Sequence, residues 1–209
     1  MQIGIAGSGN VGGTLGTRWA EGGHDVVFGS RRPQSAEMKA LLDKSGGRAR
    51  AGSIADAAAC PVIVLATPWA AAQDTIRSMG NLAGKTLIDV VNPLQPNLAG
   101  LMLGTTTSAG EQIAQWAAGA HVVKAFNTVG SPVMADSGFD GSRVVMFYCG
   151  DHPPAKQTVH RLAAELGFDP VDAGPPTQAR VLEPFALLWI TLALKQGLGP
   201  GIAFELLRR

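Results

Sequence analysis

The chain has 209 residues, enough for one well-buried core or for one domain with a modest extension. Hydrophobic residues make up 46% and charged residues 16%, which excludes a disordered chain. A formal net charge of +1, without any run of like charges, gives no support to binding of nucleic acid or of an anionic membrane.

In chain order, "QIGIAG" from Gln2 reads as a buried strand. "NVGGTLGTRWAEGG" from Asn10 reads as a helix ended by Gly22 and Gly23. "DVVFGS" from Asp25 is a second strand, and "SAEMKALLDKSGG" a helix capped by Ser35 and closed by Gly46 and Gly47. A weak strand near Arg48–Ala51 precedes the short helix "SIADAAAC". "PVIVLATP" from Pro61 is a fourth strand, "WAAAQDTIRSMG" a helix, "TLIDVVNP" from Thr86 a fifth strand, "SAGEQIAQWAAG" a helix and "HVVKAFNTV" from His121 a sixth strand. Alternation of helices with strands that are apolar on both faces predicts a parallel sheet covered on both sides. The expected fold is therefore α/β, a doubly wound Rossmann-type sheet, over residues 1–129.

Residues 130–209 are expected to form a small C-terminal α/β subdomain packed on the first. It reads as a strand "RVVMFYCGD", an amphipathic helix "PPAKQTVHRLAAELG", a short strand "FDPVDAG" and a long helix "TQARVLEPFALLWITLALKQG". The last helix is apolar nearly all round and should be buried on most faces, which a homodimer would satisfy. Its core run, Pro184–Leu194, is too short for a bilayer, which takes about 20 residues. Met1 runs straight into a strand without a basic, apolar leader. Cys60 and Cys149 lie in apolar runs outside any metal-ligand spacing and read as buried thiols. A cytoplasmic protein without membrane contact is expected.

Gly7, Gly9 and Gly12 satisfy G-x-G-x-x-G between a strand and a helix, the context in which that pattern holds a pyrophosphate. Gly7 permits the tight turn, Gly9 lets the backbone approach the phosphates, and Gly12 allows close helix–sheet packing. Ser8, Asn10 and Val11 complete the loop, whose N–H groups and helix dipole favour an anion. At the end of the second strand, an acidic residue would accept bonds from a ribose 2′-OH. Ser30, Arg31 and Arg32 stand there instead and suit a 2′-phosphate, so NADP is expected rather than NAD. Ala66, Thr67, Pro68 and Trp69 end the fourth strand and should wall the nicotinamide. Asn92 and Pro93 end the fifth, and Asn127 the sixth; the two amides can read neutral groups. Lys124 reads as a strand-end lysine that snorkels to water. Catalytic His–carboxylate pairs, a nucleophile elbow and a metal motif are absent. Hydride transfer between two rings needs proximity and a dry site rather than an acid, and this favours a ring acceptor. Gly130 is expected to leave room for that second ring.

The order "GSGNVGGTLG", "GSRRP", "ATPW", "VVNPL", "VVKAFNTV", "VMFYCGD", "GFDPVDAGP", "ARVLEPFALLW" resembles the NADPH-dependent F420 reductase family across nearly the whole chain. The cytosolic reductase domain of the six-transmembrane metalloreductases is also similar. The resemblance implies hydride transfer between NADP(H) and the deazaflavin F420 or a flavin (FMN or FAD), with Asn127 and Val129 bordering the place where the rings stack. Asn127 stands where the F420 reductases commonly have His, Ser8 where they have Thr, and "TVGS" where they have "TIPA". At these positions the chain is closer to the metalloreductase domain. With no membrane domain following, the electrons would leave through a diffusible partner. Competing readings are a reductase of a small carbonyl or imine and an NADP-binding redox sensor without turnover.

Overall fold

Continuous apolar runs make the central strands β1 (Gln2–Ala6), β2 (Asp25–Gly29), β4 (Val62–Leu65), β5 (Thr86–Asp89) and β6 (His121–Lys124). The shorter β3 (Ala49–Gly52) is more exposed. Between them lie α1 (Asn10–Glu21), α2 (Ala36–Lys44), α3 (Ile54–Ala58), α4 (Trp69–Met79) and α5 (Ala109–Trp116). The computed structural model describes all 209 residues, Met1–Arg209. All pairings among these six strands are parallel, with β1 between β2 and β4. Side chains alternate across the sheet, as strand geometry requires. Val62, Val64, Ile88 and Val123 enter one apolar cluster, while Ile63, Leu65 and Leu87 enter a second.

The second part of the chain continues the same sheet. After α6 (Ser131–Ala135) and a two-residue hairpin, β7 (Gly138–Phe139) with β8 (Ser142–Arg143), come β9 (Val145–Gly150), α7 (Pro153–Glu165) and β10 (Asp169–Asp172). The eight-stranded order is β10-β9-β6-β5-β4-β1-β2-β3. β9 runs antiparallel to β6, and β10 parallel to β9. The sheet is therefore mostly parallel, with one antiparallel junction. The α6 and hairpin segment makes that reversal. Its elements are too short to show a period, which is why they are not legible in the sequence. Helix α7 closes the larger cluster through Val159 and Leu162, and Trp19 of α1 donates its indole N–H to the Leu162 carbonyl at 3.2 Å.

The last helix is α8 (Ala179–Ile190), followed by a π-helical turn, Thr191–Lys195. Within the single chain only one face of it is covered. Leu182, Glu183, Ala186, Trp189 and Ile190 are buried, but Val181 is 59% exposed and Leu188 47%. The helix packs on one side against the β-sheet layer and α5, and a chain of this size has no further layer for the other side. Both cysteines are free and buried, as expected. No helix is long and apolar enough to cross a membrane.

Candidate functional site

A groove of about 500 Å³ opens at the carboxyl ends of β1, β2 and β4. It brings together Gly7, Ser8, Gly9, Ser30, Arg31, Arg32, Ala66, Thr67 and Pro68, nine of the residues singled out in the sequence. Glycine chemistry shapes its floor. Gly7 has φ +109°, and a Cβ there would collide with the Ala66 carbonyl oxygen. A Cβ on Gly12 would collide with the Gly7 carbonyl oxygen and lie 2.9 Å from the Ala66 methyl. Gly9 has nothing within 4 Å of an added Cβ, so its open side faces the groove mouth.

Among α1 to α5, helix capping marks the same place. α2, α3 and α5 begin with Ser35, Ser53 and Ser108, each accepting a backbone N–H, and each helix has an acid in its first turn. α1 and α4 begin at Gly9 and Pro68, without a side-chain cap or a first-turn acid. Their free N–H groups and positive dipole ends make an anion site. Further along the rim, the Ser30 hydroxyl accepts the Arg32 backbone N–H at 3.0 Å. Arg31 and Arg32 are exposed, and neither forms an ion pair with a carboxylate within 4 Å. An unpaired guanidinium pair beside uncapped helix ends fits a phosphorylated dinucleotide.

The remaining predicted residues lie off the groove. Asn10, Val11 and Gly12 form the first turn of α1. Trp69 stacks on Trp116, with centroids 5.1 Å apart, and joins α4 to α5 rather than lining the groove. Asn92 and Asn127 form a reciprocal pair: Asn92 Nδ2 donates to the Asn127 carbonyl at 2.9 Å, and Asn127 Nδ2 to Asn92 Oδ1 at 3.0 Å. Asn127 Nδ2 also reaches the Leu182 carbonyl at 3.2 Å, and its Oδ1 is buried without a partner. Pro93 is buried, and Val129 belongs to the main core. Gly130 does not leave room for a ring. A Cβ there would lie 2.6 Å from the Trp189 indole and 2.9 Å from the Pro200 carbonyl oxygen, so α8 and the turn after it already fill that space.

Two sets of residues escape the sequence reading. Ala70, Ala71, Asp74, Thr75 and Ser78 of α4, with Ile54, line the groove's other wall. Their i, i+4 spacing is a small and polar stripe on an otherwise amphipathic helix. The second set surrounds Lys124, which does not snorkel. It is 2% exposed, with Nζ 2.8 Å from Asp89 Oδ2 and 3.1 Å from Glu183 Oε1, and it donates to the Val91 carbonyl at 2.6 Å. Asp89 Oδ1 accepts the Val91 N–H at 2.8 Å. Glu183 accepts the N–H groups of Ala109 and Gly110, both at 3.0 Å, and so caps α5 from α8. The lysine fails to reach water because β9 and α8 cover the end of its strand. Complementary charges inside the apolar runs "TLIDVV", "HVVKAF" and "RVLEPF" were the available signal.

Burial lowers the proton affinity of Lys124, but Asp89 and Glu183 together more than reverse this and hold it above the ordinary lysine value. Burial raises Glu183 against the pull of Lys124 and of the two α5 N–H groups. Lys124→Met should therefore destabilise the chain by about 3–5 kcal/mol, because it leaves two buried carboxylates without their cation. Without Lys124 the Glu183 carboxyl, already raised by burial, loses the cation that holds it down, and its folded-state pKa rises further above its unfolded value. The folded variant then gains protons as pH falls, and its deficit against wild type should be smaller at pH 5 than at pH 8. Urea unfolding at both pH values checks this; an equal deficit at both would refute the assignment of charge.

Comparison with known proteins follows this geometry. A model of the family described as NADP oxidoreductase, coenzyme F420-dependent, matches residues 2–93, which carry the glycine loop, the arginine pair and the ends of β4 and β5. A solved structure from Arthrobacter sp. FB24, described as a candidate F420-dependent NADP-reductase, is 32% identical, with a TM-score of 0.89 over 99% of each chain. The F420-dependent NADP reductase of Methanothermobacter thermautotrophicus is 28% identical over 91% of this chain and 88% of that one. The metalloreductase STEAP3 of Rattus norvegicus is 32% identical over 89% of this chain, which spans only 36% of that protein. The glycine loop, the unpaired arginines and a full-length structural match at this identity agree: the chain belongs to the family of coenzyme F420-dependent NADP oxidoreductases.

Proposed function

We propose that the chain transfers hydride between NADP(H) and a deazaflavin or flavin ring. The observation that supports this best is the character of the groove, which is strongly built for a phosphorylated dinucleotide, while the acid and base that end β5 and β6, Asp89 and Lys124, are buried in an ion pair and do not line it. Bound NADPH supplies a hydride from its nicotinamide ring. The loop from Gly7 to Gly12 holds the pyrophosphate against the uncapped start of α1, and Ser30, Arg31 and Arg32 hold the 2′-phosphate. Ala66, Thr67 and Pro68, with Asn92 and Asn127 one and two strands further on, bound the nicotinamide end. Reduction of a carbonyl or imine needs a proton delivered at the reacting atom. Among these residues none can deliver one, whereas ring-to-ring transfer needs only alignment and exclusion of water.

NADPH should bind roughly ten- to a hundredfold more tightly than NADH, the worth of a charge-assisted hydrogen bond to the 2′-phosphate. Arg31→Glu should abolish or invert that preference. Titration of both nucleotides checks it, and equal affinities in the wild type would rule out the phosphate-binding role of the arginines.

The acceptor is tested by following NADPH oxidation with F420, FMN, FAD and a ferric chelate in parallel, using NADPH deuterated at C4. Stereospecific transfer of the label to a deazaflavin or flavin is expected. Reduction of a carbonyl or imine in place of any ring acceptor would favour the other enzymatic reading, and binding without turnover would favour a sensor.

We also infer a cytoplasmic homodimer. The two free thiols and the use of NADPH suit the cytoplasm. The open face of α8 and the turn that follows, with Val181, Leu188, Leu194 and Leu198 between 47% and 60% exposed, suits a second copy. Light scattering at micromolar concentration should give twice the chain mass, and a monomer would refute the dimer.

A further inference from the structure

The buried charges beneath the nicotinamide end do not balance. Asp89, Lys124 and Glu183 are 0%, 2% and 1% exposed, and two carboxylates against one ammonium leave a formal surplus of one negative charge. The start of α5, donating two N–H groups to Glu183, returns roughly half a positive charge, so a surplus remains. The neighbouring Cys149 thiol adds nothing, because burial pushes its pKa up to about 12 and keeps it neutral. Asn92 follows Asp89 by three residues, and Asn127 follows Lys124 by three. Three residues of chain span at most about 10 Å. The residues between, Val90 and Val91 on one side and Ala125 and Phe126 on the other, carry no charge.

A charge at that depth distinguishes the two states of a nicotinamide. When the dihydro ring gives up a hydride, two electrons and one proton leave together for the acceptor ring, and the ring that remains carries one more positive charge. We propose that the Asp89–Lys124–Glu183 cluster tunes the site electrostatically, favouring the oxidised over the reduced nicotinamide and so biasing the protein towards hydride donation from NADPH. This rests on the reading that the nicotinamide lies by Asn92 and Asn127. At an effective dielectric of about 20, one charge at about 10 Å changes the relative affinity for the two redox states on the order of tenfold.

The test is a binding measurement and needs no acceptor. Dissociation constants for NADP+, NADPH and the nicotinamide-free 2′-phospho-ADP-ribose are measured at pH 7.5 on the wild type, Glu183→Gln and Asp89→Asn. Each substitution removes one negative charge. The ratio of the NADP+ to the NADPH dissociation constant should rise about three- to tenfold in each, while 2′-phospho-ADP-ribose stays within twofold of wild type. A purely structural role would weaken NADP+ and NADPH together and leave the ratio unchanged, and that result would overturn the proposal. Should Glu183→Gln fail to fold, Asp89→Asn removes the same charge from the other side and decides the matter. A wild type that binds none of the three would instead sink the reading of the groove as an NADP site, and the tuning role with it.

Discussion

Three charged side chains share a volume from which water is excluded, and the arrangement of the molecule follows from keeping them satisfied. Asp89 ends β5, Lys124 ends β6, and Glu183 reaches in from α8 to cap α5. Taking such groups out of water costs several kcal/mol per ion. That cost is offset only while all of them keep their partners, so β5, β6, α5 and α8 hold a common geometry. A buried ion cluster is weak evidence of net stability, but it is specific. No shift of α8 along α5 keeps both Glu183 oxygens on two adjacent N–H groups and one of them on Lys124. The C-terminal helix is thereby registered against the strand ends that carry Asn92 and Asn127, and the Asn127 amide bonds α8 directly through the Leu182 carbonyl.

Close backbone approach does for the other end of the groove what the charges do here. Gly7, Gly12 and Ala66 meet where any larger residue would collide. Gly16 likewise leaves room for the Phe28 ring, which a Cβ would strike, and brings α1 down onto the sheet. The start of α1 therefore sits low over β1 and β4, and its free N–H groups point into the groove rather than above it. The rim is exposed by contrast, and Ser30, Arg31 and Arg32 are held there by little more than the Ser30–Arg32 turn. A rigid floor with a pliant charged rim suits a ligand whose phosphates are fixed in number while its conformation adjusts.

The parallel core was legible because all of its strands but β3 are continuous apolar runs, and the helix starts carry a serine cap, a glycine loop or, for α4, a proline. The second part was only half legible. β9, α7 and β10 show their periods, but α6 and the β7–β8 hairpin are too short to do so, and they decide that β9 enters antiparallel beside β6. Around the groove, Gly7, Gly9 and the Ser30–Arg32 rim could be placed from the sequence because glycine and arginine act there through local geometry. Lys124 was misread for the opposite reason. Its surroundings come from β9 and α8, more than 20 residues away in sequence, and only tertiary packing tells a buried lysine from one that reaches water. Gly130 fails in the same way: a small residue signals space, but Trp189, from a distant helix, occupies it.

Where polar groups are left unsatisfied is as informative as where they are paired. A serine cap contributes about 1 kcal/mol to a helix, and the chain places one on α2, α3 and α5. It forgoes the side-chain cap on α1 and α4, which begin at the groove, as it does on α6 and α8 outside the parallel core. The Thr67 hydroxyl, on the groove wall, and Asn127 Oδ1 are also buried without partners. A buried acceptor or donor without a partner costs about 1–3 kcal/mol. Several of these deficits stand at or just beyond the carboxyl ends of β1, β4 and β6. The folded chain therefore holds binding free energy in reserve. A ligand that supplies acceptors to the helix starts removes part of the deficit, so occupancy of the groove and stability of the fold are linked. On the proposed reading of the groove as a dinucleotide site, the uncapped starts of α1 and α4 would be the elements that grip the phosphates, and the stability given up there would be recovered on binding.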